Sequence, residues 1–190
     1  MSWIILFKSI ADMAYRIHGK GIIRITPETN SGTLPLREAY LQMNSWACGA
    51  SAAVTLIRYF RPELEPNEIY VRINPTLEHG TPEEAIVGEA SRHGIKMIQM
   101  DSRSGLDGIR YHLDKGRPVL AVWEAYAEDC EHYVVIYGER KGVLYVTNTG
   151  GNWIRRFNVP HRKFIGNGGY AIYAASGISC KKPGSYSKQV

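Results

Sequence analysis

Residues 41–60 read LQMNSWACGASAAVTLIRYF, and their pattern decides the fold. From Cys48 onward, Ala52, Ala53, Leu56, Ile57 and Phe60 recur at three- and four-residue steps. That is the spacing of one helix face. Arg61-Pro62 stops the run, because proline cannot continue a helix. The cysteine therefore stands where the helix begins. A helix N-terminus carries partial positive charge and unspent N–H groups, and both favour a thiolate over a thiol. Gly49 permits a tight turn into the helix, and Ala50, Ser51, Ala52 and Ala53 let another element approach closely. Gln42 lies six residues before Cys48. Its side-chain N–H and the backbone N–H of Cys48 could together donate to a developing oxyanion. The plain alternative for a cysteine among alanines is a small core residue.

A nucleophilic thiol needs a base, and the base needs a third group to orient it. His132 opens the β-rich run HYVVIYG, and Asn148 ends the run VLYVTN sixteen residues later. With a hairpin turn at 139–142, the start of the first strand lies beside the end of the second. His132 and Asn148 are thus expected as neighbours. Cys130, two positions before His132, is either a further residue at the site mouth or an incidental loop thiol. Trp153 either shields the His–Asn pair from water or serves the core.

The remaining chain separates into helices and then strands. Trp3, Phe7, Ile10, Met13, Ala14 and Ile17 follow helical spacing, so residues 3–17 are expected as an amphipathic helix, and TPETNSGTLP at 26–35 reads as a linker. ELEPNEIYVRIN holds a short helix. Thr81-Pro82-Glu83-Glu84 is a helix start in which Thr81 caps and Glu84 returns the bond, with Gly94 as the stop. IKMIQM reads as a strand and GLDGIRYHLDKG as a helix. RPVLAVWEAY, HYVVIYGE, GVLYVTNT, NWIRRFNV and GYAIYAAS are short strands between turn residues. Helices first and an antiparallel sheet second make an α+β domain. The expected boundaries are an N-terminal helix and linker over 1–38, the catalytic domain over 39–178, and a polar tail over 179–190.

Three segments carry a family likeness: QMNSWACGASAAVTLIRYF, HGTPEEAIVGEASRHGIKMIQM, and GRPVLAVWE followed by HYVVIYGERKGVLYVTN. Together, over roughly Ala39 to Gly151, they resemble the double-glycine leader peptidases, papain-like cysteine peptidase domains often attached to bacteriocin-exporting ABC transporters. The resemblance implies a papain-like fold with Cys48 as nucleophile, His132 as base, Asn148 as orienting residue and Gln42 as oxyanion donor. The family carries Asp-Pro where this chain has Asn148-Thr149. An amide can orient an imidazole but cannot stabilise an imidazolium by charge. An extension precedes Gln42 and no transporter segment follows. The Asn44-Ser45-Trp46 triplet, which echoes a papain motif, precedes the nucleophile and has no orienting role. The expected reaction is cleavage of a peptide or protein substrate through a thioester, with leader-peptide processing as one task. The same site could serve a glutamine deamidase or acyltransferase effector, or survive as a catalytically weak peptide-binding module.

Composition narrows the partners. Across 190 residues the formal charge is +5, with 44% hydrophobic and 22% charged residues, ordinary values for a globular protein. The basic residues are scattered and no nucleic-acid motif accompanies them. Glycine runs such as TGGN and GNGG lack the strand–loop–helix setting of a phosphate cradle, so no cofactor is expected. His18, His79, His93, His112 and His161 show no metal-ligand spacing, and no metal is expected. Three widely spaced cysteines suggest a reducing compartment. The apolar run Trp3–Phe7 is too short for a signal core or a membrane span. A cytoplasmic location follows, with signal-independent export as an alternative. The oligomeric state is left open.

Overall fold

The computed structural model describes residues 22–24, 32–100, 105–124, 131–148, 155–160 and 171–176. The expected helix at 3–17, the tail at 179–190, Cys130 and Trp153 lie outside these residues. In chain order the elements are β1 (Ile22–Arg24), β2 (Glu38–Tyr40), α1 (Cys48–Phe60), α2 (Pro66–Ile73), α3 (Glu83–Arg92), β3 (Lys96–Met100), α4 (Gly105–Asp114), β4 (Val119–Glu124), β5 (Glu131–Arg140), β6 (Val143–Asn148), β7 (Arg155–Pro160) and β8 (Ala171–Ser176).

Six strands form one antiparallel sheet in the order β3-β8-β4-β5-β6-β7, and β1 pairs with β2 separately. The architecture is α+β, as the sequence pattern indicates. One strand breaks the simple division into helices and then sheet. β3 precedes α4 in the chain, yet it forms the sheet edge through β8. β8 inserts between β3 and β4, so the last described strand closes the sheet rather than extending it. β5 and β6 meet in a two-residue turn, with Arg140 opposite Val143. Lys141 and Gly142 have φ of 51° and 77°, the left-handed pair of a type I′ turn, whose twist suits a hairpin.

The sheet is covered on both faces. Tyr133, Val135, Leu120 and Val122 share a buried cluster with Ala52, Ala53, Leu56 and Ile57 of α1. The alternate residues Val134, Ile136, Val119 and Ala121 pack with Ile109 of α4. Because both faces are buried, β5 reads as a continuous apolar run rather than an alternating one. α1 is buried from Cys48 through Ile57. Small residues let β2, α2 and α3 reach it from several sides, and a helix so enclosed belongs at the centre of a domain.

Residues 32–34, read from composition as part of a linker, are strapped to β5. Past the register shift between Ile136 and Gly138, β5 outruns β4. There Leu34 N–H donates to Tyr137 O at 2.7 Å, and Glu139 N–H donates to Gly32 O at 3.0 Å. The strap thus meets backbone groups that an uncovered strand edge would leave open. Gly138 makes room for it: a Cβ there would lie 2.7 Å from Thr33 Cγ2 and 2.8 Å from Gly32 O.

α2 and α3 are joined by a buried carboxylate. Glu89 is 3% exposed. It accepts from Arg72 Nε at 2.7 Å and lies 3.0 Å from His93 Nε2. Burial alone would push its carboxyl up. The hydrogen bonds from Arg72 and His93 outweigh burial and hold it below its ordinary value. A depressed folded-state value contributes stability above the unfolded value and loses it as pH falls through the folded one. Glu89→Gln should therefore lower stability at neutral pH by about 1–2 kcal/mol, at the low end for a charged hydrogen bond because Arg72 is partly exposed. In urea titrations the gap between variant and wild type should close as pH falls below about 4. A gap independent of pH would show that charge contributes nothing there.

Candidate functional site

α1 begins at Cys48 with Ala47 as its N-cap, and Ala47 has no side-chain acceptor to offer. The first turn contains no acidic residue, so no carboxylate on the helix opposes a thiolate there. Cys48 is buried, at 9% exposure. A buried helix end needs partners for its first amides, and here one comes from a distant loop. Ala50 N–H donates to Thr81 Oγ1 at 3.1 Å.

This corrects the expected role of Thr81. The N-cap of α3 is Pro82, with extended backbone and no side-chain cap, so neither Thr81 nor Glu84 closes a capping box on that helix. The Thr81 hydroxyl is turned instead to α1, 31 residues earlier in the chain. Gly49 accordingly has a different reason from the one its place at the helix start suggested. A Cβ at Gly49 would sit 2.7 Å from Thr81 Cβ and 3.0 Å from Thr81 Cγ2. Gly49 is small so that Thr81 can reach the helix.

Gln42 is buried, at 8% exposure, and the chain just before it is fastened to α1. Tyr40 N–H donates to Thr55 Oγ1 at 2.9 Å, and Thr55 Oγ1 donates to Ser51 O at 3.0 Å. Ser51 Oγ donates to Leu41 O at 3.2 Å. The polar residues of α1 thereby fix residues 40 and 41 against the helix that carries the cysteine. Between Gln42 and Cys48, Ala47 N–H donates to Asn44 O at 3.3 Å, which gives the Asn-Ser-Trp triplet a turn-forming place.

His132 is the second residue of β5 and is half-buried. Its successor Tyr133 belongs to the buried cluster that contains Cys48. Asn148 is the last residue of β6, and the hairpin register sets it opposite Val134 rather than His132. Positions two apart on a strand share a side of the sheet. Position 132 therefore falls with positions 134 and 148, as a diagonal pair across adjacent strands. The turn at Lys141-Gly142 sets this offset; an unbroken ladder from Arg140–Val143 would put Asn148 opposite Val135, and the register shift beyond Ile136 brings it one residue nearer His132. Among the described residues, no group of three or more His, Cys, Asp and Glu is gathered closely enough to hold a metal ion. Among the same residues, no helix is long and apolar enough to cross a membrane.

The Peptidase C39 family model matches residues 37–159 of this sequence. Among solved structures, the chain is similar to a double-glycine-motif protease from an AMS/PCAT transporter, determined in complex with the leader peptide. That likeness has a TM-score of 0.58 at 15% identity and covers 80% of this chain and 99% of the other. It is similar also to a C39-like peptidase from Bacillus anthracis (TM-score 0.57, 13% identity, 77% and 98% covered). A third is the peptidase domain of Streptococcus ComA, a bifunctional ABC transporter of quorum sensing (TM-score 0.53, 15% identity, 77% and 98% covered). At these identities the likeness establishes the fold. No curated protein matches the sequence significantly.

The contact between Gly49 and Thr81 can be tested by Gly49→Ala. In a helix, alanine ordinarily gains up to about 1 kcal/mol over glycine. Here the added methyl meets the branched carbon of Thr81, not a flexible side-chain end, and overpacking of this kind costs about 1–3 kcal/mol. The clash should win. The urea midpoint is expected to fall with the slope of the transition unchanged, and a raised midpoint would show that Thr81 yields easily.

Proposed function

The chain belongs to the peptidase C39 family of cysteine peptidases, and from that premise we propose that Cys48, His132, Asn148 and Gln42 cleave a peptide after a small residue, as in the removal of a leader peptide. His132 takes the proton from the Cys48 thiol, and the sulfur attacks the carbonyl carbon of the scissile bond. The carbonyl oxygen becomes an oxyanion, met by the Gln42 side-chain N–H and the Cys48 backbone N–H. When the tetrahedral carbon collapses, the C–N bond breaks and the imidazolium gives its proton to the departing amine. Water, deprotonated by His132, then attacks the thioester and releases the acid and the thiol.

The observation that carries this reading is the fastening of residues 40–41 to α1 through Thr55 and Ser51. It joins the segment leading to the oxyanion donor and the nucleophile's helix into one unit. Preorganised donors of this kind are commonly the largest single contribution to catalysis. The pleat puts position 132 on the side of Val134, whereas α1 packs on the side of Tyr133 and Val135. For this reaction the imidazole must therefore reach the sulfur around the start of β5, not across the sheet. Asn148, on β6, is the residue assigned to orient the ring. Its amide orients His132 without supplying charge, so the thiolate–imidazolium pair rests more heavily on the helix N-terminus than it would with an aspartate.

A small residue before the scissile bond is implied by the family resemblance, and the burial of the thiol agrees with it. Cys48 is 9% exposed, and Ala47 and Ala50 are fully buried beside it. A peptide carbonyl reaches such a sulfur most readily when its own residue has little or no side chain. Resemblance to the double-glycine peptidases is what points to a peptide cleaved after small residues, and the burial of the thiol is compatible with it.

Synthetic peptides with a Gly-Gly cleavage site, read by mass spectrometry, test the proposal. Cys48→Ala should abolish cleavage, and His132→Ala should reduce it to a similar residue of activity. Gln42→Ala should lower kcat by about a hundred- to a thousandfold with little change in KM. Asn148→Asp should retain activity and Asn148→Ala should lose most of it. Cleavage by Cys48→Ala would end the reading. Conversion of a glutamine side chain to glutamate without chain cleavage would move the reaction from peptidase to deamidase.

A further inference from the structure

We propose that Thr81 is a positioning residue for the nucleophile, acting on Cys48 through the first turn of α1; this rests on the reading of Cys48 as the reactive thiol. The helix opens with three residues, Cys48, Gly49 and Ala50, whose amides precede the internal hydrogen-bond ladder. The amide of Ser51 is the first within it, donating to Ala47 O at 3.0 Å. The third of the opening amides, that of Ala50, is met by Thr81 Oγ1. Anchoring the third amide fixes the pitch and direction of the turn, and so the direction of the Cys48 N–H and of its Cα–Cβ bond.

The delivery of Thr81 to that point is built into the loop that precedes it. Residues 76–80 are clasped by reciprocal backbone hydrogen bonds, Thr76 N–H to Gly80 O and Gly80 N–H to Thr76 O, both at 2.8 Å. His79 N–H adds a bond to Thr76 Oγ1 at 3.1 Å. The clasp leaves Leu77 largely exposed while Thr81, at its base, is buried. The residue just before Thr81 lies near the segment preceding the cysteine, for a Cβ on Gly80 would lie 3.6 Å from Trp46 O. Gly80 and Thr81 together thus meet the helix mouth at Trp46 and at Gly49-Ala50.

The residue type also follows from the chemistry. An aspartate would accept the same hydrogen bond and cap a helix at least as well. It would also set a full negative charge beside the turn that must stabilise a thiolate. A threonine hydroxyl satisfies the amide while leaving the helix end positive. Thr81 thus combines a cap's geometry with electrical neutrality, at a place where the usual capping position, Ala47, contributes no acceptor.

The rate of Cys48 alkylation by iodoacetamide, followed against pH on the full chain by peptide-resolved mass spectrometry, tests the assignment without knowledge of the substrate. Thr81→Val keeps the shape and removes the acceptor. It should slow alkylation at neutral pH by about fivefold, the factor a lost helix cap is typically worth, and move the pH midpoint upward. Thr81→Ser should restore both. Thr81→Asp keeps the acceptor and therefore the fold. It should move the midpoint upward through charge alone, so the decision stands even if Thr81→Val does not fold. Folded Thr81→Asp with an unmoved midpoint would overturn the proposal and leave Thr81 as a structural cap. If wild-type Cys48 titrates as an ordinary thiol, the nucleophile reading falls and takes this one with it; an activated wild type with indifferent variants overturns this one alone.

Discussion

A helix end buried in the middle of a protein has to find partners for its first amides, and the rest of this structure is arranged around that demand. The N-terminal turn of α1 is enclosed together with Cys48, Gly49 and Ala50. Its cap residue, Ala47, supplies nothing to the amides. A loop from beyond α2 supplies the acceptor in its place, and glycine at position 49 clears the path. An unmet buried N–H would cost about 1–3 kcal/mol, a sizeable part of a domain's net stability. The same requirement that makes the turn hard to bury makes it chemically useful, since amides and partial positive charge there favour an anionic sulfur and a developing oxyanion.

The polar residues along α1 have a matching function. Ser51 and Thr55 are buried in an otherwise apolar helix, a position in which hydroxyls would ordinarily be a burden. Both are used in fastening β2 and the following residue to the helix. Arg58 continues the tie, with Nη1 2.6 Å from Glu38 Oε2. The segment leading to Gln42 is thus held along about two turns of helix. The sheet is positioned by apolar contact, which is less directional. Tyr133 and Val135 pack toward α1 and Val134 and Ile136 toward α4. A slip of one residue in β5 would exchange those two sets. Two buried faces therefore fix the register, and with it the places of His132 and Asn148.

The local elements were legible in the sequence because periodicity and punctuation are local. The start and stop of α1 followed from apolar spacing and Arg61-Pro62, and the hairpin from the residues around 139–142. The strand segments followed from β-rich runs between turns. Distance along the chain limited the rest. Thr81 sits directly before Pro82 and Glu83, so every local rule assigned it to α3. Its partner lies 31 residues away on another helix, and no pattern within a window connects the two. The hairpin was legible as a neighbourhood of 132 and 148, but its residue-by-residue pairing was not. Counting along a hairpin assumes an unbroken ladder, and the shift between Ile136 and Gly138, where the 32–34 strap crosses the strand, moves Asn148 from opposite Val135 to opposite Val134.

By itself the sequence determined which segments are helical and which extended, that a cysteine would open a helix, and that glutamine, histidine and asparagine stood at spacings suited to join it. These follow from short-range sterics and the periodic placement of apolar side chains. Only the tertiary structure decided that β8 would enter between β3 and β4, that residues 32–34 of a presumed linker would line the end of β5, and that Thr81 would serve another helix than its own. Each is a pairing of distant groups, selected because burial leaves no water to satisfy a backbone amide or carbonyl, and such a choice is made by the whole fold at once.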